Sequence, residues 1–287
     1  IMLGGLFNFS PQSPDTVFLA FQDYNGAFTT DGGVTWNYRD VSGKGWGGQC
    51  YGGFAVDRRT MWYGDAEGWG SPRILRISRD GGKSWAFANG PDGKPAVWTG
   101  PDVSLCDPAD AKVLFASNWR SADGGGTWAP MPGCDGVFTY SPKTSGLFGR
   151  KGTAVVRSDD HGATWTKVAD AGGGIDDIAV DHVTGRIYIA SQERLEVWEG
   201  GRWTTLETPK NQRGGTKVTT VAVDPRAPNV LYVGGPANIF ASFATVCRST
   251  DGGKTWTNLA RHTWDASAGE GPREVSAIRV HPVTRWA

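Results

Sequence analysis

The chain has 287 residues, and its 29 Lys+Arg balance 29 Asp+Glu, so the formal net charge is zero. That balance gives no electrostatic reason to expect nucleic acid or an acidic membrane surface as partner. No apolar run approaches the ~20 residues that span a bilayer, and the opening Ile1-Met2-Leu3-Gly4 lacks the basic start and apolar core of a signal peptide.

Taken in order, the chain repeats one unit. The first, about residues 5–40, reads as a strand at Phe7–Pro11, a second at Val17–Ala20, the loop Gln22-Asp23-Tyr24-Asn25-Gly26, and the motif Thr29-Thr30-Asp31-Gly32-Gly33-Val34-Thr35-Trp36. The second, about 50–90, places strands at Phe54–Asp57 and Met61–Gly64 ahead of Ser78–Trp85, and the third, about 101–131, repeats this with Val103–Pro108, Val113–Ala116 and Ser121–Trp128. The fourth, about 135–168, runs through Val137–Pro142 and Leu147–Gly149 to Ser158–Trp165. The fifth, about 175–206, keeps Ile178–Asp181 and Ile187–Ala190, but its turn, Val197–Trp203, has lost the aspartate. The sixth, about 217–259, ends at Ser249–Trp256, and a partial seventh, about 274–287, opens with Val275–Val280. A strand-rich period of roughly 40–50 residues predicts a β-propeller of four-stranded blades, six complete and a seventh begun. Residues 1–287 are then one propeller domain, expected to be a fragment of a longer protein whose missing segment, or a second propeller, completes the ring.

The motif Ser/Thr-x-Asp-x-Gly-x-Thr/Ser-Trp has a structural explanation. Aspartate accepts hydrogen bonds from backbone amides a few residues on, glycine supplies positive φ, and the tryptophan packs over the turn. Asp31, Asp80, Asp123, Asp160 and Asp251 are accordingly read as structural staples, not catalytic groups. Cys50, Cys106, Cys134 and Cys247 lie far apart without metal-ligand spacing, which predicts buried thiols and no zinc site. No metal or cofactor is expected.

Alternation of strand direction sorts the connections by face. The stapled turns and the first turn of each unit fall on one side, and the long aromatic-rich connections on the other, where binding residues concentrate. Carboxylates beside exposed indoles suit sugars, since carboxylates bond hydroxyls and flat rings cover C–H faces. Asp23 is the leading catalytic candidate, with Asp65 and Glu67 weaker ones. Tyr24, Asn25, Trp46, Trp69, Trp98 and Trp119 are candidate substrate contacts, although any one tryptophan could equally cap blade packing. Of the neighbours Asp176 and Asp177, which alternation sends to opposite sides, one is expected to be structural.

The repeated motif resembles the Asp-box (BNR) repeat of sialidase- and xyloglucanase-type propellers. Val17–Phe28 (VFLAFQDYNGAF) and Trp36–Trp85, ending in ILRISRDGGKSW, are similar in more detail to the amino-terminal propeller of xyloglucan-cleaving glycoside hydrolases. The resemblance implies a secreted glycoside hydrolase that cleaves a polysaccharide or oligosaccharide by paired-carboxylate chemistry, with Asp23 as one carboxylate and the second supplied by another propeller. Here Asp-Tyr-Asn-Gly replaces the family's Asp-x-Gly-Gly. Asp-box propellers also resemble sorting receptors and photosystem assembly factors, so a non-catalytic docking scaffold stays open, as does a lyase-like propeller. A sialidase is disfavoured, because Pro72-Arg73-Ile74-Leu75 only echoes that family's arginine segment.

Overall fold

The computed structural model describes residues 6–21, 26–38, 49–68, 70–191, 194–211, 214–215, 217–235, 246–259, 275 and 277–281. Sheet one holds β1 (Val17–Leu19), β2 (Ala27–Thr29) and β3 (Asn37–Tyr38). Sheet two holds β4 (Gln49–Ala55), β5 (Met61–Ala66), β6 (Arg73–Ser78) and β7 (Ala86–Phe87), with β8 (Val97–Trp98) also paired to β6. Sheet three is β9 (Ser104–Cys106), β10 (Leu114–Ala116), β11 (Trp119–Ser121) and β12 (Ala129–Pro130). Sheet four is β13 (Gly136–Ser141), β14 (Gly146–Lys151), β15 (Ala154–Ser158) and β16 (Thr166–Asp170). Sheet five is β17 (Asp177–Val180), β18 (Ile187–Ser191), β19 (Arg194–Glu199) and β20 (Arg202–Leu206). A short hairpin, β21 (Lys210–Asn211) and β22 (Gly214–Gly215), precedes sheet six: β23 (Thr220–Asp224), β24 (Ala227–Gly234), β25 (Cys247–Ser249) and β26 (Thr257–Asn258). Every strand pairing is antiparallel and, apart from β8 with β6, joins neighbours in sequence, and the innermost strands β4, β9, β13, β17 and β23 succeed one another around an axis. The fold is an all-β propeller.

Sheet five is covered on both faces, which is why its inner strands read as continuous apolar runs. In β18, Ile187 and Ile189 enter the cluster shared with Phe138, Phe148 and Val155 of sheet four. The alternate residues, Tyr188 and Ala190, enter the cluster shared with Val221, Leu231 and Val233 of sheet six. One strand thereby fills two cores through its two-residue period. The four cysteines are all buried free thiols.

The stapled turns take the geometry their chemistry requires. In the fourth, Ser158 Oγ donates to Asp160 Oδ1 at 2.8 Å and accepts from Gly162 N at 2.8 Å. Asp160 also accepts from Thr164 N at 2.8 Å and Thr164 Oγ1 at 2.5 Å. Equivalent bonds recur at Asp31, Asp80, Asp123 and Asp251. The fifth turn dispenses with aspartate because Gly200 (φ 60°) and Gly201 (φ 82°) close a two-residue hairpin between Glu199 and Arg202 unaided.

Four of these turns dock on the first turn of their own sheet: Gly32 N on Asp15 O, Gly81 N on Arg59 O, Gly124 N on Lys112 O and Gly252 N on Asn229 O. The stapled hairpins and first turns thus share one face, and the remaining connections leave from the other. One element differs from expectation. Residues 7–10 form no ladder with β1; instead Leu6 bridges Val103 in parallel and Asn8 Nδ2 donates to Ser104 O at 2.7 Å. The opening segment runs along the axis against sheet three.

Candidate functional site

Two cavities open on opposite faces, and their chemistry differs. On the stapled face, a cavity of about 330 Å³ is walled by the ends of the inner strands, including Phe9, Leu105, Phe138, Ile178 and Val221. Its described lining is mostly apolar and contains no Asp or Glu, its titratable side chains being Cys106, Tyr140, His182 and Arg279. On the opposite face, a cavity of about 400 Å³ is lined by Thr99, Gly100, Asn118, Pro130, Met131, Pro132, Asp135, Arg150 and Lys151. Hydroxyl, amide, carboxylate and two cations meet there, a set that can bond the hydroxyls of a sugar.

Local folding fixes this wall. After β6, the β7–β8 excursion returns the chain to Arg73 and Ile74. The connection then crosses to sheet three, where Asn118 Oδ1 accepts from Thr99 N at 3.0 Å and Gly100 N at 3.3 Å. Gly100 is obligatory at this crossing: a Cβ would sit 2.0 Å from Asp135 O. Asp135 accepts from Lys151 Nζ and Gly152 N, each at 2.8 Å. Partial burial raises the carboxyl, but the Gly152 amide and Lys151 together hold it below the ordinary value.

The next carboxylate along the face is Asp102, one connection earlier. It is ion-paired with Arg73, whose guanidinium lies 4.0 Å above the Tyr51 ring, and Tyr51 Oη donates to Gln49 Oε1 at 2.9 Å. Burial pushes Asp102 up to about 6 against the pull of Arg73. The two carboxylates are therefore displaced in opposite directions, Asp102 by burial and Asp135 by its amide and lysine partners. The raised value has a consequence for stability. Between pH 4 and 6 the folded chain binds a proton at Asp102 that the unfolded chain has released, so this group's contribution is present below pH 4 and lost as pH rises through 6. Asp102→Asn is expected to flatten the unfolding free energy over that window by on the order of 2 kcal/mol, read by urea denaturation at each pH.

The structure redistributes the other candidates. Asp23, Tyr24, Asn25, Trp46 and Trp69 lie outside the described residues. Glu67 is exposed directly after β5, on the face of the polar cavity. Asp65 is corrected: it sits inside β5, buried, with Arg76 Nε donating to it at 2.7 Å from the diagonal position on β6. It is a sheet ion pair rather than an acid facing substrate. Trp98 is also corrected, being 3% exposed, with its indole pressed on the glycine backbone of β4 and β5 and its Nε1 donating to Pro101 O at 3.2 Å. Trp119 is half-buried, and its Nε1 donates to Val97 O at 2.6 Å, so the ring edge is fixed while part of the ring stays accessible. Asp177 proves structural, wholly buried and bound bidentately by Arg279 at 2.8 and 3.0 Å. The opposite displacement of Asp102 and Asp135 depends on burial and partners that sequence does not display.

The fold is that of a xyloglucanase-type β-propeller. The chain is 27% identical over 282 residues to a xyloglucanase of a Paenibacillus species, covering 87% of this chain and 26% of that protein. Its fold matches the crystal structure of the GH74 xyloglucanase from Xanthomonas campestris with a TM-score of 0.70 at 17% identity, over 98% of this chain and 50% of that one. It also matches YCF48 bound to D1 peptide, with a TM-score of 0.59 at 16% identity, over 91% of this chain and 84% of that chain. The chain thus spans about a quarter of the xyloglucanase sequence it matches and half of the Xanthomonas enzyme. No family model matches.

Proposed function

We propose that this chain is the polysaccharide-binding propeller of a secreted glycoside hydrolase acting on xyloglucan or a related β-glucan. The observation that carries the reading is the polar cavity on the face away from the stapled turns, which contains the Asp135–Lys151 pair, with Asp102 and its partner Arg73 in the connection that supplies Gly100 to its lining. Ionised carboxylates and their cations bond sugar hydroxyls, and the accessible part of Trp119 offers an apolar surface to a ring. The sequence similarity to a xyloglucanase supports the substrate class.

In this reading Asp23, which lies in sequence between β1 and β2, is the acid or base, and Glu67 belongs to the corresponding connection of sheet two. The partner carboxylate comes from a second propeller, as the resemblance implies. In the complete protein, Asp23→Asn is expected to lower the release of reducing ends from xyloglucan by about 10²–10⁴-fold, with xyloglucan binding retained. Unchanged turnover would remove Asp23 from the chemistry.

A second reading has one observation in its favour: most of the YCF48 chain is covered, so a propeller of this form also exists as a docking body. It predicts that the complete protein neither cleaves nor binds β-glucans.

A further inference from the structure

The cavity on the stapled face shares no lining residue with the polar one, and its wall carries a pattern of its own. The first turns of sheets three, four and six place Pro108, Pro142 and Pro225 in that wall, where sheet five places His182. The turn itself does not call for histidine. Asp107 Oδ1 accepts from Ala109 N at 2.8 Å and Asp224 Oδ1 from Arg226 N at 2.9 Å, across a proline in each case. Asp181 Oδ1 makes the same bond to Val183 N at 2.7 Å across His182.

Most of the polar groups in the lining are already committed. Arg279 is bound by Asp177 at 2.8 and 3.0 Å and donates to Asn8 Oδ1 at 2.9 Å, while Asn8 Nδ2 donates to Ser104 O. Burial pushes the Cys106 thiol up to about 12, so it stays protonated. Thr139, Tyr140 and His182 remain, their side chains without hydrogen-bond partners among the described residues, and all three belong to sheets four and five. The cavity therefore has one polar edge and carries no uncompensated charge. Elsewhere Phe9, Leu105, Val221 and Val280 present carbon.

Size and chemistry together define a ligand class. A dry cavity of ~150 Å³ is enough to admit benzene, and about 330 Å³ lies at the lower end of small-molecule sites. One aromatic ring with short substituents fits, whereas an oligosaccharide does not. Phe9 and Phe138 in the wall suit edge and offset contacts with such a ring. Desolvation holds His182 below its ordinary value against the pull of Asp181, so the imidazole is neutral at pH 7. A neutral imidazole offers one donor and one acceptor, and a hydroxyl group can answer either.

We infer that this cavity is a second binding site, for a small uncharged phenol. The ring lies among Phe9, Leu105, Phe138 and Val221, and the hydroxyl bonds the His182 imidazole. The site is independent of what the opposite face binds.

Methyl-resolved NMR of the complete protein tests this with 4-methylphenol, using 1,4-dimethylbenzene as the same shape without a hydroxyl. Both are expected to give saturable shifts at the methyls of Leu105, Ile178 and Val221, and none at Met131 of the polar cavity. In His182→Phe, which keeps a ring but removes its nitrogens, affinity for 4-methylphenol should fall about tenfold. Affinity for 1,4-dimethylbenzene should not fall, which also shows that the variant keeps the cavity. Absence of saturable shifts at these methyls, or shifts confined to Met131, overturns the inference. An undiminished affinity for 4-methylphenol in His182→Phe, or an equal loss for both ligands, overturns it too. So does 4-methylbenzoate binding as tightly as 4-methylphenol, by making the ligand an anion.

Discussion

Asp177→Ala is expected to destabilise the propeller by about 3–5 kcal/mol, the cost of leaving a buried guanidinium without its counter-charge. The carboxylate collects Thr220 Oγ1 at 2.8 Å, Val221 N at 3.2 Å and both terminal nitrogens of Arg279. It joins sheet five, sheet six and residues 277–281 at one point, and through Asn8 the same arginine reaches the opening segment. Urea denaturation should show a lower midpoint with little change in slope. Pairing Asp177→Ala with Arg279→Met should recover much of the loss, because the orphaned charge is then gone. A loss below about 1 kcal/mol in the single variant would mean that this ion pair does not hold the ring at that point.

Trp98→Ala is the second large effect. The indole is enclosed, and the glycines beneath it leave no room for anything else: a Cβ at Gly52, whose φ is 54°, would lie 2.4 Å from the ring, and one at Gly64 2.9 Å. Removing the side chain opens a cavity in the core shared by sheets two and three and is expected to cost about 3–5 kcal/mol. The bond from Nε1 to Pro101 O is lost too, which frees the connection carrying Asp102. Trp98→Phe should restore most of the packing but not that bond. An exposed platform would behave otherwise: Trp98→Ala would weaken polysaccharide binding while leaving stability within about 1 kcal/mol.

These cases show what was legible in the sequence. The stapled turns were, since each residue of the motif has a local job that the hydrogen bonds of Ser158, Asp160 and Thr164 display. The two-faced burial of β18 was also legible from Ile187-Tyr188-Ile189-Ala190. Trp98 was not, because an indole after a glycine- and proline-rich excursion reads the same whether it faces solvent or folds back. The clue lay elsewhere, in Gly52 and Gly64, strand glycines that make sense only once a ring rests on them. Asp65 is illegible for a related reason: its partner Arg76 is a diagonal neighbour on the next strand, a relation that appears only when register is known. The apolar pattern of the opening segment predicts a ladder strand, yet its partner is Val103, almost a hundred residues away.

Hydrogen–deuterium exchange with and without a xyloglucan oligosaccharide tests the central claim most directly. The account expects slowed exchange at residues 66–68, 98–103, 116–119 and 131–135, the connections that leave the face opposite the staples, and none at the stapled turns. Protection confined to the turns around Asp31, Asp80 and Asp123, or to the apolar cavity lined by Phe138 and Val221, would contradict it.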